Sequence, residues 1–218
     1  MLKSNIIKHH KFKIVIILIC IFLLTNQFMP HHSKHIYPDA IASEASEALS
    51  YYPELADVDI KFKFKNNIKK STMQAQPVFS SFLRSRNKRS YVILISKKIK
   101  IDGTEFKTKD IPSKVMIGWL GHELGHIIDY QNKNNLQLIW FGVTYLLSDN
   151  HIIEAERAAD TYAVSHGMGD YILETKNFIL NHANIKDSYK LRIKKYYLSP
   201  EEIMELVKSK AEKNLISD

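Results

Sequence analysis

The 218-residue chain has one cysteine, Cys20, and it lies in an apolar run near the N-terminus. The rest of the chain has no thiol, which excludes an internal disulfide and any thiolate metal site there. A metal held by that part must rest on histidine and carboxylate. Internal repeats and low-complexity tracts are also lacking, and 45% of the residues are hydrophobic. That is enough for one compact domain with a sizeable core, but not for two. The formal net charge is +8. Basic residues cluster at 61–70, 84–89, 97–100 and 190–195 as well as before residue 14. No nucleic-acid motif accompanies them, so they are read as solvated faces and no nucleic-acid partner is expected.

Charge is missing altogether between Lys13 and Lys34. Within that stretch lies the unbroken apolar run IVIILICIFLL, residues 14–24, behind Lys3, Lys8, Lys11 and Lys13. A basic flank before a short apolar core is the layout of a secretory signal. Eleven residues are few for a membrane span, which needs about twenty, although extension through Met29 brings the run near that length. No clear small-x-small cleavage site follows Leu24 closely; Ala40 and Ala42 lie rather far downstream. Residues 1–30 are therefore expected to be either a signal peptide or an N-terminal membrane anchor, a transmembrane helix if uncleaved. Residues 31–218 would form the domain. In both cases the domain is expected outside the cytoplasm, periplasmic or secreted or tethered.

Further along, residues 39–50 read as a helix ending near Pro53. VDIKFKF at 58–64 alternates apolar and charged residues, as a strand with one buried face does. Residues 65–77 read as a loop, and SYVILIS at 90–96 as an inner strand. Residues 97–101, Asp102-Gly103 and Thr104-Glu105-Phe106 suggest a strand and a turn. A small sheet is thus expected within 58–108. After Pro112 the periodicity becomes helical over 113–130, and 135–147 is strongly apolar. Ser148 or Asp149 would cap a helix to about Ser165, with Gly167 as its stop. Two helices follow at 170–182 and 186–197. Ser199-Pro200-Glu201-Glu202 is a capping box that opens a last one, to about Lys213. The fold class expected is α+β, a small sheet followed by a helical half.

The chemistry concentrates in His122-Glu123-Leu124-Gly125-His126. Histidines four apart on a helix share a face and can reach one ion, while the glutamate one residue on can reach a water at that ion. Ile117, Leu120, Leu124, Ile127 and Ile128 mark the helix as buried, and buried imidazoles need partners. Gly118, Gly121 and Gly125 leave room for a close backbone or a substrate. A catalytic zinc commonly takes three protein ligands plus water. Asp129 and Asn132 stand where an HExxHxxGxxH pattern needs glycine and histidine, so the third ligand must come from elsewhere. In HIIEAERAADTYA, residues 151–163, Glu156 and Asp160 lie four apart on one face. Glu156 can be the third ligand, with Asp160 holding a ligating imidazole by its free ring N–H. Glu154 and His151 are the weaker alternatives. Glu154 points away from Glu156 and has Ala158 four residues on, and His151 falls at the start of the helix.

HELGH followed by E-R-A-A-D resembles the gluzincin metallopeptidases, in particular the CAAX prenyl endopeptidase-like and minigluzincin group, whose second motif is E-x-x-A-D. Glu156, Ala159 and Asp160 match that motif, and the resemblance covers residues 113–166. It implies a zincin-like fold, in which a glutamate helix crosses the active-site helix and a strand near the site aligns an extended peptide. SYVILIS or KKIKI would be that strand here. It implies Zn2+ as cofactor, a protein or peptide as substrate, and a downstream His or Arg that steadies the oxyanion. His182 and Arg192, with Tyr189 between them, are the candidates. The chain lacks the several spans of the membrane-embedded members. The expected activity is a zinc endopeptidase with ligands His122, His126 and Glu156 and base Glu123. The alternatives are a tethered zinc-binding or scaffold protein with an idle site, and a structural domain without metal.

Overall fold

The computed structural model describes residues 35–66, 68, 71–82, 84–101, 104–107, 110–181 and 187–217. The expected signal or anchor, residues 1–30, and its apolar run at 14–24 lie outside them. The expectation of a transmembrane helix and a membrane tether is corrected: among the described residues no helix is long and apolar enough to cross a membrane.

The described residues form an α+β fold. Three strands, β1 (Asp59–Lys65), β2 (Met73–Pro77) and β3 (Ser90–Ser96), make a mixed sheet in the order β1-β3-β2. β1 runs parallel to β3, with Ile60 opposite Tyr91, and β2 runs antiparallel to it, with Ala75 opposite Ile93. Ile60, Phe62, Tyr91, Ile93 and Ile95 are buried in one core with the helices. β4 (Lys98–Ile101) and β5 (Thr104–Lys107) pair as a separate two-stranded sheet, so residues 58–108 hold two sheets, not one. β2 occupies part of the stretch expected to be a loop. Its sequence, MQAQP, has no β-branched or aromatic residue, and its alternation is carried only by buried Met73 and Ala75.

Seven α-helices are described. α1 (Ala42–Ser50) precedes the sheet; α2 (Ser113–Gln131), α3 (Asn135–Leu147), α4 (Asp149–Ser165), α5 (Gly169–Asn181), α6 (Asp187–Tyr196) and α7 (Pro200–Ser217) follow it. α2 is the axis of the fold. It packs against β2 on one side and against α1, α4 and α5 on the others, and residues 115–129 are all buried. Helix propensity alone would not hold a segment with three glycines. Packing does. A Cβ on Gly118 would lie 2.3 Å from the carbonyl oxygen of Tyr171 on α5, and one on Gly125 would lie 2.4 Å from that of Ala159 on α4. These two glycines let neighbouring backbones approach; the third, Gly121, faces the Met168 side chain.

Buried Arg89 secures the far end of α2. Its guanidinium donates to the carbonyls of Tyr130 and Lys133, at 3.1 and 2.9 Å, and to Asn135 Oδ1. This satisfies helix-end carbonyls and sets a cation at the negative pole of the helix. α3 starts on a capping box that the sequence reading missed, in which Asn134 and Gln137 exchange two 2.9 Å bonds. The expected box at Ser199 and Glu202 is present. Gly167 has φ of 92° and stops α4. α3 buries only Leu138. Leu136, Trp140, Leu146 and Leu147 on it are 78, 68, 82 and 81% exposed.

Candidate metal centre

α2 presents His122 and His126 on one face, towards α4. Glu156 comes to meet them. Its Oε2 lies 3.1 Å from His122 Nε2 and 3.4 Å from His126 Nε2. These three buried residues bring their ligand atoms within 4.8 Å of one another. The two separations from Glu156 Oε2 match a small tetrahedral ion, whose bonds of about 2.0–2.2 Å place neighbouring ligand atoms about 3.4 Å apart. Of the rival ligands, Glu154 is exposed on the far side of α4 and His151 sits in its first turn, outside the cluster. His122, His126 and Glu156, picked out by their spacing on two helices, are thus brought together in space.

Asp160, wholly buried one turn after Glu156, places Oδ1 2.8 Å from His122 Nδ1. That contact leaves Nε2 to face the centre. Oδ2 of Asp160 accepts the Leu198 N–H at 3.1 Å and an ion pair from Lys176 at 2.8 Å. Lys176 is itself only 4% exposed, and its ammonium lies 4.2 Å over the Tyr197 ring. Sequence reading missed this lysine. The cue was present: Ile172, Thr175, Lys176 and Ile179 are spaced as one buried helical face, and all four are buried. Nδ1 of His126 has no hydrogen-bond partner among the described residues, while the ring stacks on Tyr130 at 6.0 Å.

Glu123 turns the other way, towards the sheet. Its Oε2 accepts the Ala75 N–H at 2.6 Å, and Tyr130 donates its hydroxyl to Ala75 O at 3.3 Å. Thr72 and Val78 bond to β3 on either side of β2. The alternation leaves the backbone of Met73, Ala75 and Pro77 facing outward. β2 is thus the edge strand that borders the centre. β3, the SYVILIS strand expected to align a peptide, is paired on both sides, and the KKIKI strand belongs to the separate hairpin. On the opposite flank, Tyr52 donates to Gly121 O at 2.6 Å, next to His122.

Electrostatics follow from burial and from these partners. Burial would lower the His122 pKa, but its bonds to Asp160 and Glu156 and their charges outweigh that and raise it to about 10. Burial would raise Glu156; the two imidazoles hold it well below the usual carboxylate range. Asp160 is likewise held down against its burial, chiefly by Lys176 and then by His122. Glu123 ends raised, because burial outweighs the pull of the imidazoles and of the Ala75 N–H. A dication that took the place of the His122 proton would leave both imidazoles neutral and would face the Glu156 carboxylate directly, the kind of pairing buried charge needs.

Beside the centre is a cavity of about 40 Å³ bordered by Thr72, Met73, Trp119, Glu123, Tyr189 and Arg192. It is large enough to admit water. Arg192, expected near the site, does line this cavity, and its guanidinium lies 4.9 Å over the Tyr196 ring. His182 lies outside the described residues. Tyr145 was not anticipated: it donates to Glu156 Oε1 at 2.8 Å from α3, a helix with no motif to reveal it. No protein-family model, no curated protein and no solved structure matches this chain.

Proposed function

We propose that the chain is a zinc-dependent endopeptidase of gluzincin type, with a zincin-like fold, that acts on a protein or peptide outside the cytoplasm. One observation carries the reading: His122, His126 and Glu156 converge from two crossing helices, with Glu123 one residue along facing an edge strand. The residues fit the ion in spacing, in donor type and in charge. When bound, zinc acidifies a water to a pKa of about 7 and polarises a carbonyl.

The chain's own groups supply the rest. Asp160, fixed by Lys176 and the Leu198 N–H, fixes the His122 ring. Of the outward backbone of β2, Ala75 already bonds Glu123 and Tyr130 and Pro77 has no N–H, so Met73 and the Pro77 carbonyl would be what β2 offers an extended substrate across the centre. Glu123 takes the proton of the attacking water and passes it to the leaving nitrogen. Its raised pKa brings a carboxylate closer to that task. A binding protein would need the ligands but no base, so the presence of Glu123 favours catalysis over an idle site. Export rests on the basic and apolar N-terminal sequence.

The test pairs elemental analysis with a peptide-library assay on wild type and Glu123→Gln. About one zinc per chain in both is expected, with hydrolysis in the wild type and a loss of at least about 100-fold in the variant. Zinc binding without any hydrolysis would point to the idle-site protein. No zinc, even after it is added back, would overturn the metal reading.

A further inference from the structure

The two oxygens of Glu156 have different surroundings. Oε2 lies between the Nε2 atoms of His122 and His126. Oε1 accepts the Tyr145 hydroxyl at 2.8 Å. A carboxylate can hold a metal through one oxygen or both, and using both fills a further coordination position. A catalytic zinc works through a position kept open for water or substrate. The hydroxyl occupies Oε1 and so fixes the rotation of the carboxylate. The hydroxyl comes from α3, which also meets this region through the Phe141–Tyr130 ring contact at 5.6 Å and the Arg89–Asn135 bond.

Building on the zinc reading, we infer that Tyr145 is a positioning residue that keeps Glu156 a one-oxygen ligand and thereby keeps a metal position open. Tyr145→Phe removes the hydroxyl and retains the ring, including its contact with Phe141 at 5.9 Å. Cobalt(II) is the probe, because its visible absorption weakens as coordination rises from four to five. Full-length wild type and Tyr145→Phe are titrated with cobalt, and zinc affinity is measured by competition with a chromophoric chelator. In the variant, the expected result is one cobalt per chain with a clearly weakened visible band, and zinc held about tenfold less tightly. Superimposable cobalt spectra with zinc affinities within twofold would overturn the role of Tyr145 and leave the zinc reading intact. A wild type that takes up neither metal would overturn both.

Discussion

At the scale of single residues, His122 is held between two carboxylates, and its chemistry depends on whether a cation is present. In chelator-treated protein the imidazole binds a proton with a pKa of about 10. Because that value is raised, the stability it contributes is full below the unfolded value of about 6.5 and is lost as pH rises through about 10. A metal ion must displace the proton, so its affinity runs the other way and rises with pH across the neutral range. Calorimetric titration with zinc at pH 7, in buffers of different ionisation enthalpy, should show at least about one proton released per ion. A buffer-independent heat would refute the protonated His122 of the metal-free protein. His122, Glu123 and His126 were legible because one helical turn fixes their relation. Glu156 and Asp160 were legible for the same reason on a second helix. Tyr145 was not, since no periodicity links it to a carboxylate eleven positions later on another helix.

At the scale of elements, the crossing of α2 over α4 sets the distance from the histidines to Glu156. Gly125 stands at that crossing, against the Ala159 carbonyl. In Gly125→Ala, helix propensity gains about 1 kcal/mol. The new methyl meets backbone that cannot rotate away, and overpacking of that kind costs about 3 kcal/mol. A net loss of about 2 kcal/mol is expected in urea unfolding, with weaker zinc binding. Gly142, on α3, has open space around its Cβ position. Gly142→Ala should therefore be neutral or stabilising by up to about 1 kcal/mol, and equal losses at both sites would refute the close-crossing account. The helices were largely visible in the sequence through caps and apolar spacing. β2 was hidden because its strand character comes from pairing with β3, not from its own glutamines.

At the scale of the whole molecule, the centre draws on Ala75, the 122–126 turn, Tyr145, Glu156, Asp160, Lys176 and the Leu198 backbone. A single sequence shows what one helix can present, but not which helices cross, so the α+β class was readable and this assembly was not. Helix α3 has a consequence of another kind, in colloidal behaviour. Its charge-free sequence turns Leu136, Trp140, Leu146 and Leu147 to the solvent on a chain of net charge +8. At low ionic strength like charges keep copies apart. Salt shortens that repulsion to about 8 Å at 0.15 M, and sulfate strengthens apolar attraction at the same time. The protein should therefore have a low salting-out point. Static light scattering should climb early in an ammonium sulfate titration, and Leu146→Glu should move the climb to higher salt. An unmoved curve would mean that this flank does not govern how the molecules meet.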